Sequence, residues 1–178
     1  LTTKIMKKYF LLLMLMATTL AANAQFDKGK VYLGASISSL DFNYSKFDKL
    51  SFEANVMAGY MVIDELMPFA EIGTSLHSND HSSPNEFSIG VGARYYIKQN
   101  GLYLSAAFKY IHAAPNYNDC KPQVEVGWAF FINRTVTIEP AIYYSHSFKN
   151  MDYSKIGLKV AVGVNLETQK KGQTIFNQ

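Results

Sequence analysis

Residues 155–166 read Lys-Ile-Gly-Leu-Lys-Val-Ala-Val-Gly-Val-Asn-Leu. In an extended strand successive side chains point to opposite faces. Ile156, Leu158, Val160, Val162, Val164 and Leu166 therefore share one side, and Lys155, Gly157, Lys159, Ala161, Gly163 and Asn165 the other. The first face is wholly apolar. The second is polar or very small and sets two lysines among glycines, a poor lining for the core of a soluble protein.

Seven further segments share this alternation, at 31–38, 51–62, 68–77, 86–98, 102–112, 123–132 and 135–146, with the opening stretch as part of an eighth at 154–166. Their apolar faces run through residues such as Leu33, Val56, Ile72, Val91, Phe108, Val126 and Ile142, and carry no charge. Most are longer than the five or six residues of an ordinary strand and match the roughly 9–11 needed to cross a bilayer at a tilt. The connections after the second, fourth and sixth segments are short: Ile63 to Met67, Gln99-Asn100-Gly101 and Asn133-Arg134. The others are longer and rich in Ser, Asn, Asp and Pro, as in residues 78–85. This asymmetry predicts short turns at one end of a barrel and long loops at the other.

Alternation alone does not say which face looks outward, because a soluble barrel has the same period with its apolar face inside. Composition decides. The polar face holds Gly34, Gly59, Gly73, Gly90, Gly92, Gly127, Gly157 and Gly163, eight of the 11 glycines, together with several serines. Glycine weakens a strand, so its repetition on one face points to crowding there, as in the interior of a small barrel. The apolar face carries Tyr60, Tyr95, Phe108, Tyr110, Trp128, Phe130 and Tyr144, bulk suited to a lipid belt with aromatic girdles. The fold class expected is all-β: an eight-stranded antiparallel up-and-down transmembrane β-barrel.

Lys7 and Lys8, the apolar run from Tyr9 to Leu20 and the Ala22-Asn23-Ala24 site read as a secretory signal peptide, with Met6 as its start. The expected organisation is a cleaved signal peptide at 1–24, a barrel at 25–166 and a polar tail at 167–178. The formal charge of the whole chain is +3, and three lysines, Lys4, Lys7 and Lys8, would leave with the signal peptide. A near-neutral mature chain gives no support to nucleic-acid binding. One cysteine, Cys120, excludes an internal disulfide framework and is expected in the third long loop. His77, His81, His112 and His146 fall at or beyond strand ends with no ligand spacing, so no metal, cofactor or catalytic residue is assigned.

Charges on the glycine-rich face balance, Glu53, Glu71, Glu125 and Glu139 against Arg94, Lys109, Lys155 and Lys159. Opposed residues of an antiparallel hairpin have a constant sum of numbers. Loop centres near residues 117, 149 and 82 or 83 then predict the pairs Lys109–Glu125, Glu139–Lys159 and Glu71–Arg94, with Glu53 left to reach Lys155 across the lumen.

On this architecture the chain resembles the small eight-stranded outer-membrane barrels of Gram-negative bacteria, of the OmpA, OmpX and OmpW type and particularly those of Bacteroidetes. The resemblance implies export to the outer membrane, and contact with outer-membrane lipid, with lipopolysaccharide and, during insertion, with the barrel-assembly machinery. It also implies a monomer. Lys155, Gly157, Val160 and Val162 resemble the polar-x-Gly-x-x-apolar-x-apolar assembly signal, although Leu166 and a tail stand where such strands usually end on an aromatic. A structural or surface-interaction role is expected, without enzymatic activity. One alternative is a narrow channel or porin-like transporter of small, even hydrophobic, solutes. The other is a lipid A-modifying enzyme: residues 144–150 invite comparison with lipid A deacylases, but Phe148 stands where their motif has serine and Ser147 points to the other face.

Overall fold

The computed structural model describes residues 26–43, 51–77, 86–97, 100–113, 117–149 and 154–167. The expected signal peptide, His81 and most of the expected tail lie outside them. The strands are β1 (Lys30–Asn43), β2 (Ser51–Tyr60), β3 (Leu66–His77), β4 (Glu86–Tyr96), β5 (Leu102–Ala113), β6 (Tyr117–Trp128), β7 (Phe130–Phe131), β8 (Val136–Ser145) and β9 (Lys155–Glu167). All pairings are antiparallel, and from β1 to β6 and from β8 to β9 each strand pairs with the next in sequence. β1 closes on β9, and β6 with the two-residue β7 closes on β8. β6 and β7 are one strand, since Gly127 faces Ala141 and Phe130 faces Ile138 without a slip. The molecule is thus a closed eight-stranded barrel.

The break between β6 and β7 has a local cause. Trp128 and Ala129 lie opposite Pro140 and Glu139, and proline has no N–H to give to the ladder. Ala129 turns its own N–H to the other side, donating to Gly101 O at 2.8 Å.

Register fixes the size of the barrel. Stepping once around through Tyr32, Gly59, Phe69, Gly92, Ala107, Gln123, Ser145 and Lys155 returns to β1 at Asn43, eleven positions along. One of those positions is a bulge between Ser38 and Leu40, which leaves a shear of ten. Eight strands with that shear tilt by about 40° and form a ring of about 8 Å backbone radius. Side chains of opposite strands therefore meet at the axis.

The apolar face points outward in every strand. Val56, Ile72, Val91, Phe108, Val126, Ile142 and Val160 are each half exposed or more. From Phe52 to Val62 this belt is about 25 Å tall at the strand tilt, the height of the apolar band of a membrane barrel. Trp128 and Phe130 stack at 5.9 Å at its turn end, the end at which exposed Tyr60 of β2 and Tyr95 of β4 also lie.

Two expectations are corrected. Cys120 is not in a loop: β6 begins at Tyr117, and Cys120 lies within it opposite Tyr110 with an exposed side chain. The hairpin centres also differ, because strands run further toward the loops than their apolar residues do. Lys109 faces Lys121 and not Glu125, Glu139 faces Ala161 and not Lys159, and Glu71 faces Gly90 and not Arg94.

Candidate functional site: the lumen

The lumen is filled in layers. At the turn end Phe26 is fully buried and stacks on Tyr96, with ring centroids 3.6 Å apart, over Met61, Met67 and Phe131. The segment before β1 is held in place by the backbone. Phe26 O accepts from Glu65 N–H at 2.9 Å, and Lys28 N–H donates to Asp64 Oδ1 at 2.9 Å.

Above this apolar plug sits Arg94 of β4, fully buried. Its Nη1 donates to Glu139 Oε2 of β8 at 2.7 Å, and its Nη2 lies 3.5 Å from Glu125 Oε1 of β6. Lys159 of β9 pairs with the other oxygen of Glu125. Hydroxyls occupy further acceptor positions. Tyr32 donates to Glu139 Oε2 at 2.8 Å, Thr137 to Glu139 Oε1 at 2.7 Å and Tyr103 to Glu125 Oε1 at 2.9 Å. The guanidinium lies 4.0 Å from the centre of the Tyr103 ring, with Tyr32 and Tyr96 at 5.4 and 5.9 Å. Two carboxylates and three aromatic rings compensate the charge of this cation in a low-dielectric interior, where the same cation alone would be very costly, although its Nε and Nη2 make no hydrogen bond.

A second cluster lies nearer the loops. Lys109 of β5 bridges Glu53 and Glu71 at 3.1 and 3.3 Å, and Lys155 reaches Glu53 at 3.3 Å. Asn55 donates to Glu53 at 3.1 Å. Higher still, Ser147 Oγ donates to Asp119 at 2.6 Å inside the barrel, near the buried Lys121 and Gln123.

Each of Glu71, Arg94, Lys109, Glu125, Glu139 and Lys159 points inward and joins an ion pair, but across the lumen and not along the hairpins. Glu53 meets Lys155, as the sequence suggests. The tyrosines and Phe26 were missed, although a signal existed: Tyr32, Tyr103 and Tyr143 have the parity of the glycine face. The glycines make room for them. A Cβ on Gly34 or Gly157 would come within 2.5 Å of Tyr32 or Tyr143, and one on Gly127 would also strike Tyr103. Asp119 and Lys121 were hidden by assignment to a loop. Of the proposed assembly signal, Lys155 and Gly157 face the lumen, while Val160 and Val162 face outward.

His112 and His146 make other contacts. His112 Nδ1 lies 2.6 Å from Asn118 Oδ1, and His146 Nδ1 lies 3.2 Å from Tyr144 Oη and 3.3 Å from Ser154 Oγ. Among the described residues no three His, Cys, Asp or Glu side chains gather as a metal site.

The sequence profile of the outer membrane protein beta-barrel domain matches residues 10–171. The chain belongs to that family. Family membership implies an outer-membrane location. Neisserial surface protein A is similar in structure, with a TM-score of 0.53 at 15% identity over 79% of this chain and 98% of that one. The Yersinia pestis outer membrane protein Ail in a phospholipid bilayer nanodisc gives 0.54 at 12% identity, over 78% of this chain and all of the other. A de novo designed transmembrane β-barrel gives 0.50 at 13% identity, over 80% and 99%. At these identities the likeness concerns the fold. No curated protein sequence matches significantly.

Proposed function

We propose that this barrel is a structural or surface-interaction protein of the outer membrane, acting as a monomer through its loops and its outer wall and not through its lumen. The observation that carries this reading is the occupied axis: Arg94, Glu125, Glu139 and Lys159 with Tyr32 and Tyr103 fill one level, and Phe26 with Tyr96 fills the level beneath. With about 8 Å of backbone radius to fill, side chains of this size leave no continuous water path. The reading is of a non-enzymatic barrel whose last strand, β9, presents Lys155, Gly157, Val160 and Val162 to the assembly machinery after export.

The porin-like alternative makes the opposite electrical prediction. In planar bilayers the wild type is expected to pass no unitary current, and Glu139→Ala to pass none either, because Tyr32, Tyr103 and Phe26 still occupy the axis. Stepwise, ion-selective current in the wild type would replace this reading with the channel.

A further inference from the structure

The outer wall is not uniformly ridged. Over much of the belt large side chains stand side by side, as where Val91 faces Phe108, and a smaller depression of about 340 Å³ lies beside Pro140 between Val126, Ile142 and Leu158. On β1, β2 and β3 the pattern breaks. Ala35, Ala54 and Thr74 leave a groove of about 610 Å³ whose floor reaches the backbone at Ser36, Asn55 and Gly73. Ile37, Val56, Ile72 and Phe87 rise around it, and Val160 and Val162 bound its far side.

We propose that this groove seats one acyl chain of a lipid A molecule in the outer leaflet. Three features select that occupant. The groove lies within the lipid-facing belt and its walls carry no charge, so whatever fills it is hydrocarbon. Its depressions are one side chain wide, about 5 Å between neighbouring strands, which admits a methylene chain and excludes a helix of about 10 Å diameter. A second copy of the barrel is also a poor fit, because a two-fold contact would set this concavity against itself. The leaflet follows from position. Ile37, Ala54 and Thr74 lie from the middle of their strands toward the loop end, and Phe87 is one residue from the loop-side start of β4. Loops face outward in such barrels, and the outer leaflet there is lipid A. The proposal goes beyond the surface-interaction reading and does not depend on whether the lumen conducts.

The test is native mass spectrometry of the full barrel in mild detergent, titrated separately with hexa-acylated lipid A and with palmitoyl-oleoyl phosphatidylglycerol. Wild type is expected to retain lipid A, and Ala54→Phe, which fills the groove, to bind it about tenfold more weakly or worse. Ala106→Phe adds the same ring elsewhere on the belt and should bind as wild type does. Heat-dependent gel mobility verifies folding, and Ala54→Leu is the milder filler should the Phe variant fail to fold. Equal lipid A binding by wild type and the filled variant would overturn the proposal. So would a groove-dependent preference for the phosphatidylglycerol, or a dimer that disappears on filling the groove, which would make the site a subunit contact.

Discussion

The two ends of the lumen solve the same problem differently. Near the turns, charge is sealed above an aromatic plug: Arg94 and Glu139 are both 0% exposed, and hydroxyls share their partners' oxygens. Near the loops, Glu53, Glu71, Lys109 and Lys155 form an equally neutral cluster, but Lys155 keeps 17% of its side chain exposed and an amide takes the place of the tyrosines. Water reaches Lys155 in the upper cluster, whereas every charge of the lower cluster is buried. Ion pairs of similar length should therefore contribute very differently to stability.

The largest effect is expected from Arg94→Ala. It leaves Glu139 buried with only hydroxyl partners and should cost about 3–5 kcal/mol, measured by urea unfolding in lipid vesicles. Replacing the pair together, Arg94→Met with Glu139→Leu, leaves Lys159 with Glu125 and should recover most of that loss. If the double variant is as unstable as the single, the penalty arises from packing and not from a stranded charge. Phe26→Ala comes next, at about 3 kcal/mol for a buried ring. It should also quicken hydrogen exchange of the amides around Tyr96 and Tyr103 while leaving those around Lys109 unchanged. The smallest effect belongs to Lys155→Ala, within about 1 kcal/mol, since Glu53 keeps Lys109 and Lys155 is itself partly exposed. A loss there as large as that of Arg94→Ala would abolish the distinction between the two ends.

The wall was legible in the sequence because a barrel strand imposes a two-residue period on every side chain it presents, and the outward face of residues 155–166 follows it. Parity placed Glu71, Arg94, Lys109, Glu125, Glu139 and Lys159 inside. It could not pair them. Partners across a lumen depend on the shear of the closed ring, and that depends on where each strand ends. At Tyr117 to Pro122 the strand continues past its apolar residues, so hydrophobic alternation ends before the strand does, which shifts the expected hairpin centre by two residues and places Cys120 in a loop. The bulge beyond Ser38 and the gap opposite Pro140 are likewise properties of the paired backbone.

Strand β6 carries both the chain's one thiol and its one indole on its outward face, Cys120 toward the loops and Trp128 toward the turns. Eight residues separate them, about 20 Å along the bilayer normal at the strand tilt. Nature has thus supplied a depth gauge: a quencher or dye attached to Cys120 samples one leaflet boundary while the fluorescence of Trp128 samples the other, with no residue of the wild-type chain replaced.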